Sequence, residues 1–376
     1  MKNNFKNIIA SKFNSDILHL ISELNICAQK TSVRLYFVGG LVRDLIMGSD
    51  ISDIDILVEG SAIDFCSDCD ICEILSIHKD FGTVKARVGG YDIDFASTRR
   101  EHYPQSGCLP VVTEIGVPLE IDVKRRDFTI NAIALSLSDF ELVDYYNGVS
   151  DIQNKKLKIL HEDSFIDDPT RILRGLDFEL RFGFEFDNFT KTALKSYLAD
   201  AQNLRDGLSI SRVELTLDKL LQQGEPAYTS ILSKSYYKIF KDAVSKILYS
   251  TIEDASKIFG VSASKLAKFA LLNNLLEPYI DTSSDYNLYL SLKKYSDFEL
   301  ATFYIFGFHN DLLLKYFNSL KDISLNLSGA DLISLGFEQG KLIGDVLDNL
   351  LRYRINSKIQ LTKDEEISYI LENFKK

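Results

Sequence analysis

Residues 37–57 read FVGGLVRDLIMGSDISDIDIL, and the order of the parts decides how the chain begins to fold. The apolar run 35–38 has strand character and ends at Gly39 and Gly40, after which 41–47 turns amphipathic and helical. Two glycines between a strand and a helix let backbone N–H groups approach an anion, and the helix N-terminus favours negative charge. Gly39 and Gly40 are therefore candidate phosphate-binding positions, with Arg43 adding a charge-assisted contact to a triphosphate. From 51 to 58 polar and apolar residues alternate, which puts Asp53 and Asp55 on one strand face and Ile54 and Ile56 on the other. Carboxylates so paired share magnesium ions, which bridge a nucleotide's phosphates and lower the pKa of an attacking hydroxyl. A glycine turn or an acidic strand alone is commonplace. Together, in this order and this close, they point to nucleotide chemistry.

Working outward, 82–88, 91–96 and 133–137 are further strand-like pieces separated by turn glycines, so the first 150 or so residues read as α+β. From Asp168 onward the pattern is almost wholly helical: Ile172, Leu173, Leu176 and Leu180 recur at helical spacing, as do Leu215, Leu217, Leu220 and Leu221. Neither an internal repeat nor a low-complexity segment interrupts it.

The stretch GGLVRDLIMGSDISDID resembles motif A of the class II tRNA nucleotidyltransferases, the bacterial CCA-adding enzymes, whose head is shared with bacterial poly(A) polymerases. The likeness continues in order downstream. Arg125–Ala132, RRDFTINA, resembles the motif that recognises ribose and phosphates, bringing in Arg126 and Asp127. Residues 144–148, DYYNG, resemble the hinge motif. Residues 167–171, DDPTR, resemble the EDxxR motif, whose acidic and basic side chains act as a protein template for the incoming base. Asp168 and Arg171 are its template pair, and Arg174 extends the helix. The likeness covers 33–220, with a weaker one at 328–369. It implies a mixed α/β nucleotidyltransferase head at 1–150, a helical neck at 151–220 carrying the nucleotide-selecting motif, and a helical, tRNA-binding body and tail at 221–376. It further implies Mg2+ on Asp53 and Asp55, CTP and ATP as substrates, and addition of C, C and A to the 3′ end of tRNA with release of pyrophosphate.

A carboxylate and a guanidinium side by side on one helical face suit that template role, because cytosine and adenine present different donor and acceptor edges. DDPTR also has the make-up of an ordinary helix start, with acids at the dipole's positive end and proline in the first turn. Two positions depart from the family. The usual glutamate is Asp167, and the usual third arginine of RxxRxxR is Asp177, with Arg181 nearby as a substitute cation.

The rivals are an A-adding enzyme working with a separate CC-adding one, a poly(A) polymerase, and a catalytically inactive RNA-binding protein. The stretch 78–83, HKDFGT, lacks the basic, arginine-rich character of the polymerase, and the retained Asp53 and Asp55 argue against an inactive scaffold. The long segment 107–118 reads as a loop, in the family one that helps change specificity from C to A; as physics it is a candidate lid. Asp94 is noted beside the site as a possible extra carboxylate without a role being claimed for it.

Composition sets outer bounds. The 376 residues carry a net charge of -11, which argues against generic DNA binding while leaving room for a local basic groove. Lys155, Lys156, Lys158, Lys191, Lys195, Arg352, Arg354 and Lys358 are candidate RNA phosphate contacts, against the reading of a merely solvated face. Five cysteines, an odd number in a long chain, suggest reduced thiols and a cytoplasmic setting. Cys66, Cys69 and Cys72 have metal-ligand spacing, but small buried thiols are the expectation. No apolar run reaches membrane-spanning length.

Overall fold

The computed structural model describes residues 2–51, 54–204, 210–234, 236, 247–273 and 275–374. The chain divides into two units, Met1–Asp242 and Ala243–Lys376. The strands of the first unit are β1 (Arg34–Val38), β2 (Asp55–Glu59), β3 (Glu73–His78), β4 (Thr83–Val88), β5 (Tyr91–Ser97), β6 (Arg99–His102), β7 (Val111–Ile115), β8 (Ala134–Ser136), β9 (Leu142–Val143), β10 (Lys156–Leu157) and β11 (Glu185–Phe186). Seven of them form one sheet in the order β3-β4-β5-β2-β1-β8-β9. All its pairings are antiparallel except that of β2 with β5.

Alternation makes the sheet two-faced. In β4, Val84, Ala86 and Val88 are buried while Lys85 and Arg87 are exposed; in β5, Ile93 and Phe95 are buried while Asp92 and Asp94 are exposed. Helices α1 (Lys2–Lys12) and α2 (Ser15–Thr31) precede β1, and α3 (Gly40–Met47) and α4 (Ala62–Asp68) follow β1 and β2 in turn. Asn14 caps α2 by accepting from the Ile17 N–H, and Ser61 caps α4 from the Asp64 N–H, so both helices begin where a side chain replaces a missing carbonyl partner. Phe65 of α4 packs on Phe95 with ring centroids 5.8 Å apart, which places α4 on the apolar face of β5. Asp94 and its neighbours are left on the other face.

Then follow α5 (Leu119–Lys124), α6 (Gly148–Gln153), α7 (Ser164–Asp167), α8 (Thr170–Phe182), α9 (Asn188–Leu204), α10 (Ile210–Leu220) and α11 (Glu225–Ser233). Helix α8 buries Ile172, Leu173, Leu176 and Phe178, and α10 and α11 pack on it. The regions expected as head and neck thus share one unit, whose boundary falls at 242/243. The segment expected as a loop is instead a hairpin arm: β6 and β7 pair antiparallel as a two-stranded sheet of their own.

The second unit is helical among its described residues. It comprises α12 (Tyr249–Phe259), α13 (Ala263–Leu272), α14 (Asp285–Leu292), α15 (Asp297–Ile305), α16 (Asn310–Lys315), α17 (Gly329–Ser334), α18 (Lys341–Ser357) and α19 (Lys363–Phe374). Capping boxes at Ser296/Glu299 and Ser328/Asp331 start α15 and α17. Here one expectation fails. Arg354, counted as a phosphate contact, is buried and bonded to Glu366 and to the Ser324 carbonyl, because its position on α18 faces the core rather than solvent. Among the described residues, no helix is long and apolar enough to cross a membrane.

Candidate active site

A cavity of about 940 Å³ lies in the first unit, lined by the ends of β1, β2 and β5, the start of α3, the β6 arm, and helices α8 and α10. Its sheet-side wall is a row of paired positions: Ser76 opposite Lys85, Lys85 opposite Asp94, and Asp94 opposite Asp55. Since residues paired across a sheet share a face, these four side chains belong to one surface, and all four line the cavity. Asp53 lies outside the described residues. Asp55 and Asp94 are both exposed toward the cavity, and the Asp94 N–H donates to the Ile54 carbonyl at 3.3 Å, fixing the pair's register.

The strand-to-helix turn behaves as its glycines require. Gly39 has φ of +67° and ψ of -130°, a conformation that strains any residue with a Cβ, and α3 starts at the next residue. A Cβ on Gly39 would also sit 3.4 Å from Nη1 of Arg126. Arg43 is buried one turn into α3. Its Nη1 donates to Asn131 and its Nε to Asp44, each at 2.9 Å, and the guanidinium lies 4.8 Å from the ring centroid of Phe182 and 5.2 Å from that of Phe178.

A second wall is built around Asp122 at the heart of α5. Arg125 donates to its Oδ1 at 2.7 Å, Arg126 to its Oδ2 at 3.1 Å, and the Arg99 N–H to Oδ1 at 3.1 Å. Burial pushes the Asp122 carboxyl up, but Arg126 and Arg125 outweigh it and hold the group below the usual carboxylate range. Glu101 bridges Arg99 and Arg125 at 2.7 and 3.1 Å. Three guanidiniums are thus aligned on two carboxylates, with the surplus charge facing the cavity.

Asp127 holds Arg174 by a 2.6 Å ion pair and also accepts from the Phe128 N–H and from Asn131. Burial raises the Asp127 carboxyl, yet Arg174 and Asn131 bring it below its ordinary value. The aspartate is accordingly an anchor for Arg174, which lines the cavity half-exposed. At the base of α8, Asp168 accepts from the Thr170 hydroxyl and N–H through Oδ1 and from Arg212 through Oδ2 at 2.5 Å. Arg171 donates to the Ser164 hydroxyl at 2.6 Å, to the Arg125 carbonyl at 2.8 Å and to the Tyr103 hydroxyl at 3.3 Å. Arg212 also donates to the carbonyls of Gly107 and Cys108, so the hairpin arm and Asp168 share one guanidinium.

The two departures have structural outcomes. Asp167 pairs with His161 at 3.6 Å, and its carbonyl accepts the Gly107 N–H. Asp177 is held by Arg181 at 3.2 Å and by Gln223 at 2.6 Å, and Arg181 lines the cavity one turn beyond. Every expected site residue within the described set therefore converges: Gly39, Gly40, Arg43, Asp55, Arg126, Asp127, Asp168, Arg171 and Arg174 line one space. Sequence reasoning missed Arg99, Arg125, Arg212, Lys85 and Lys219, and left Asp94 unassigned. Arg125 stood inside a quoted motif, whereas Arg212 and Lys85 gave no signal before the packing was known. Ten Arg and Lys against six Asp and Glu line the cavity of a chain whose net charge is -11, which suits it to a polyanion.

Residues 35–158 match the family model described as the poly A polymerase head domain. Among curated proteins, the chain is similar to the A-adding tRNA nucleotidyltransferase of Aquifex aeolicus (strain VF5), at 41% identity over 168 residues, 43% of this chain and 20% of that protein. It is also similar to the CCA-adding enzyme of Lactococcus lactis subsp. lactis (strain IL1403), at 26% identity over 314 residues, 77% of this chain and 76% of that one. A solved apo form II of a CCA-adding enzyme matches with a TM-score of 0.76 at 25% identity and 98% coverage of both chains. The chain spans 20%, 24% and 51% of the lengths of the first three curated relatives.

Proposed function

We propose that this chain, whose residues 35–158 match the family model of the poly A polymerase head domain, is a template-independent tRNA nucleotidyltransferase that adds C, C and A from CTP and ATP. The observation that carries the reading is convergence: a glycine turn, an acidic strand pair, a guanidinium wall and the Asp168/Arg171 pair face one cavity of about 940 Å³.

The donor set fits a divalent cation. Asp55 and Asp94 are hard oxygen donors on paired strand positions, and Asp53 stands two residues before Asp55 in the same acidic run. We assign Mg2+ to Asp53 and Asp55, with Asp94 beside them. When bound, the ion neutralises triphosphate charge and lowers the pKa of the attacking hydroxyl. The protein's own part is placement. Gly39 and Gly40 bring backbone to the phosphates, Arg126 and Arg174 supply positive charge, and Arg43, locked by Asn131 and two phenylalanine rings, keeps the α3 start rigid beneath them. The tRNA 3′-hydroxyl then attacks the α-phosphorus and pyrophosphate leaves. Asp168 and Arg171 read the base by exchanging their present partners, Thr170 and Arg212 on one side and Tyr103 and Ser164 on the other, for its edge. The head occupies 1–150, the neck 151–220, and the body and tail 221–376 carry the tRNA, in a cytoplasmic setting.

The test is incorporation of labelled CTP and ATP into tRNAs ending before the first C, or at CC. Extension of both, lost when Asp53 and Asp55 are both replaced by alanine, supports the proposal; wild-type rates in that double variant overturn it. A second reading, an A-adding enzyme, is favoured by the 41% identity to the Aquifex protein, and predicts that only tRNA ending in CC is extended, with ATP alone. Repeated AMP addition to unrelated RNA identifies a poly(A) polymerase, and binding without extension an inactive RNA-binding protein.

A further inference from the structure

Eight arginines and two lysines line the cavity. Each of the eight arginines is hydrogen-bonded or ion-paired within the protein. Among the described residues, the two lysines, Lys85 and Lys219, make no hydrogen bond and no ion pair, and both are exposed. Of the two, Lys85 belongs to the sheet wall that carries the acidic pair, because it stands opposite Asp94 on the neighbouring strand.

That position has an internal control. Two residues along the same face of the same two strands, Arg87 stands opposite Asp92, and there the charges close on each other at 2.8 Å, outside the cavity. Lys85 and Asp94 also carry opposite charges on paired positions, yet no ion pair joins them. Where the face turns into the cavity, the cation and the carboxylate are each left open to a ligand.

The strand order says which ligand. Across the sheet the strands run β3, β4, β5, β2, β1, so the row of side chains reads Ser76, Lys85, Asp94, Asp55, and β1 follows with the glycine turn at its end. Neighbouring strands are about 4.8 Å apart, which puts Lys85 one strand beyond Asp94 and the glycine turn one strand beyond Asp55, on opposite sides of the acidic centre. In phosphoryl transfer the attacking and leaving oxygens lie roughly in line through phosphorus. With the triphosphate on the glycine turn, its pyrophosphate departs toward β1, and the attacking hydroxyl comes from the β4 side.

Resting on the nucleotidyl transfer argued above, we propose that Lys85 anchors the acceptor RNA: its ammonium pairs with the phosphodiester that joins the last two nucleotides of the 3′ end. The terminal hydroxyl is thereby set over the acidic pair, on the side away from the leaving group. A lysine suits this duty because a compact charge on a flexible stem follows a phosphate without fixing the base attached to it. Ser76, the next position outward, brings no competing charge.

The experiment uses tRNA ending in CC, synthesised with either a normal linkage or a neutral methylphosphonate between its last two nucleotides. Wild type and Lys85→Ala are compared on both for incorporation of labelled ATP. Each change alone should lower kcat/KM for the RNA by about 10-fold, the loss of one charge-assisted phosphate contact. Both changes together should cost no more than either one, since each removes the same contact. KM for ATP should stay within about twofold of wild type, and Lys85→Arg should recover most of the loss on the normal linkage. Losses that multiply, or a rise in KM for ATP as large as that for RNA, would overturn the assignment of Lys85 while leaving the proposed reaction standing. A wild-type protein that does not extend the normal acceptor would overturn the reaction and this inference together. Lys85→Gln repeats the comparison if the alanine variant folds poorly.

Discussion

In the second unit, Arg354 and Glu366 make a guanidinium–carboxylate pair at 2.7 Å; in the first, Arg125 and Arg126 make two such contacts with Asp122, at 2.7 and 3.1 Å. The chemistry is the same but the surroundings differ. Glu366 is wholly buried and also accepts the N–H groups of Asn326 and Leu327, while Arg354 donates to the Ser324 carbonyl. Close by, α18 and α19 bury Leu327, Leu332, Val346, Leu350 and Ile370 in one cluster. Every bond made there ties one chain segment to another. Around Asp122, by contrast, the carboxylate is buried and its arginines line the cavity. A buried carboxylate with inward-facing partners is scaffolding, and one with partners at a cavity edge aims positive charge.

Four measurements test that contrast. The largest effect is expected for Glu366→Ala, which leaves Arg354 buried and uncompensated and should cost about 3–5 kcal/mol in urea unfolding of the second unit. Incorporation per folded molecule into a minimal acceptor should change little. Next comes Asp55→Asn, which should lower the turnover number about 100- to 1,000-fold while moving the urea midpoint hardly at all. A stability loss equal to that of the Glu366 variant would show that Asp55 is scaffolding after all.

Third, Arg174→Lys should raise KM for the nucleotide by roughly 10-fold, since an ammonium cannot hold Asp127 and present a planar fork to phosphate together. Unchanged KM would return the Asp127–Arg174 pair to a structural role. The smallest effect concerns pH. Asp122 and Asp127 are held below the ordinary value near 3.9, so their pairing contributes stability that is full above about pH 4 and is lost as pH falls through the folded-state values. Asp122→Asn should flatten the acid limb of the urea midpoint for the first unit. An unchanged limb would mean that the arginines do not depend on that charge.

Local order was what the sequence exposed well. Gly39, Gly40 and Arg43 are close in the chain, so turn chemistry and helical spacing place them, and the same holds for Asp168, Arg171 and Arg174 along α8. Asp94 was harder, because its place beside Asp55 follows from the strand order of the sheet, and a sequence shows strands without their neighbours. Arg212 was illegible for a related reason: it reaches Asp168 only because α10 packs on α8. Arg354 was misread since a basic residue on a helix looks solvated until the partner helix is known. The expectation of reduced thiols failed in the same way: α2 packs on α4 and joins Cys27 to Cys69 as a disulfide, a helix contact that no spacing rule encodes.

The one parallel pairing in the sheet has a consequence for the order of assembly. To lay β5 beside β2 in the same direction, the chain must leave β2, build α4, β3 and β4, and come back. Hairpins such as β3–β4 and β4–β5 form from neighbours, but the Asp55–Asp94 contact closes a long excursion and bears its entropy before any reward. The acidic centre is thus absent from every early intermediate held together by local contacts alone. Its appearance, read as slow protection of the Asp94 amide against hydrogen exchange, marks the moment when the acidic wall of the cavity is complete.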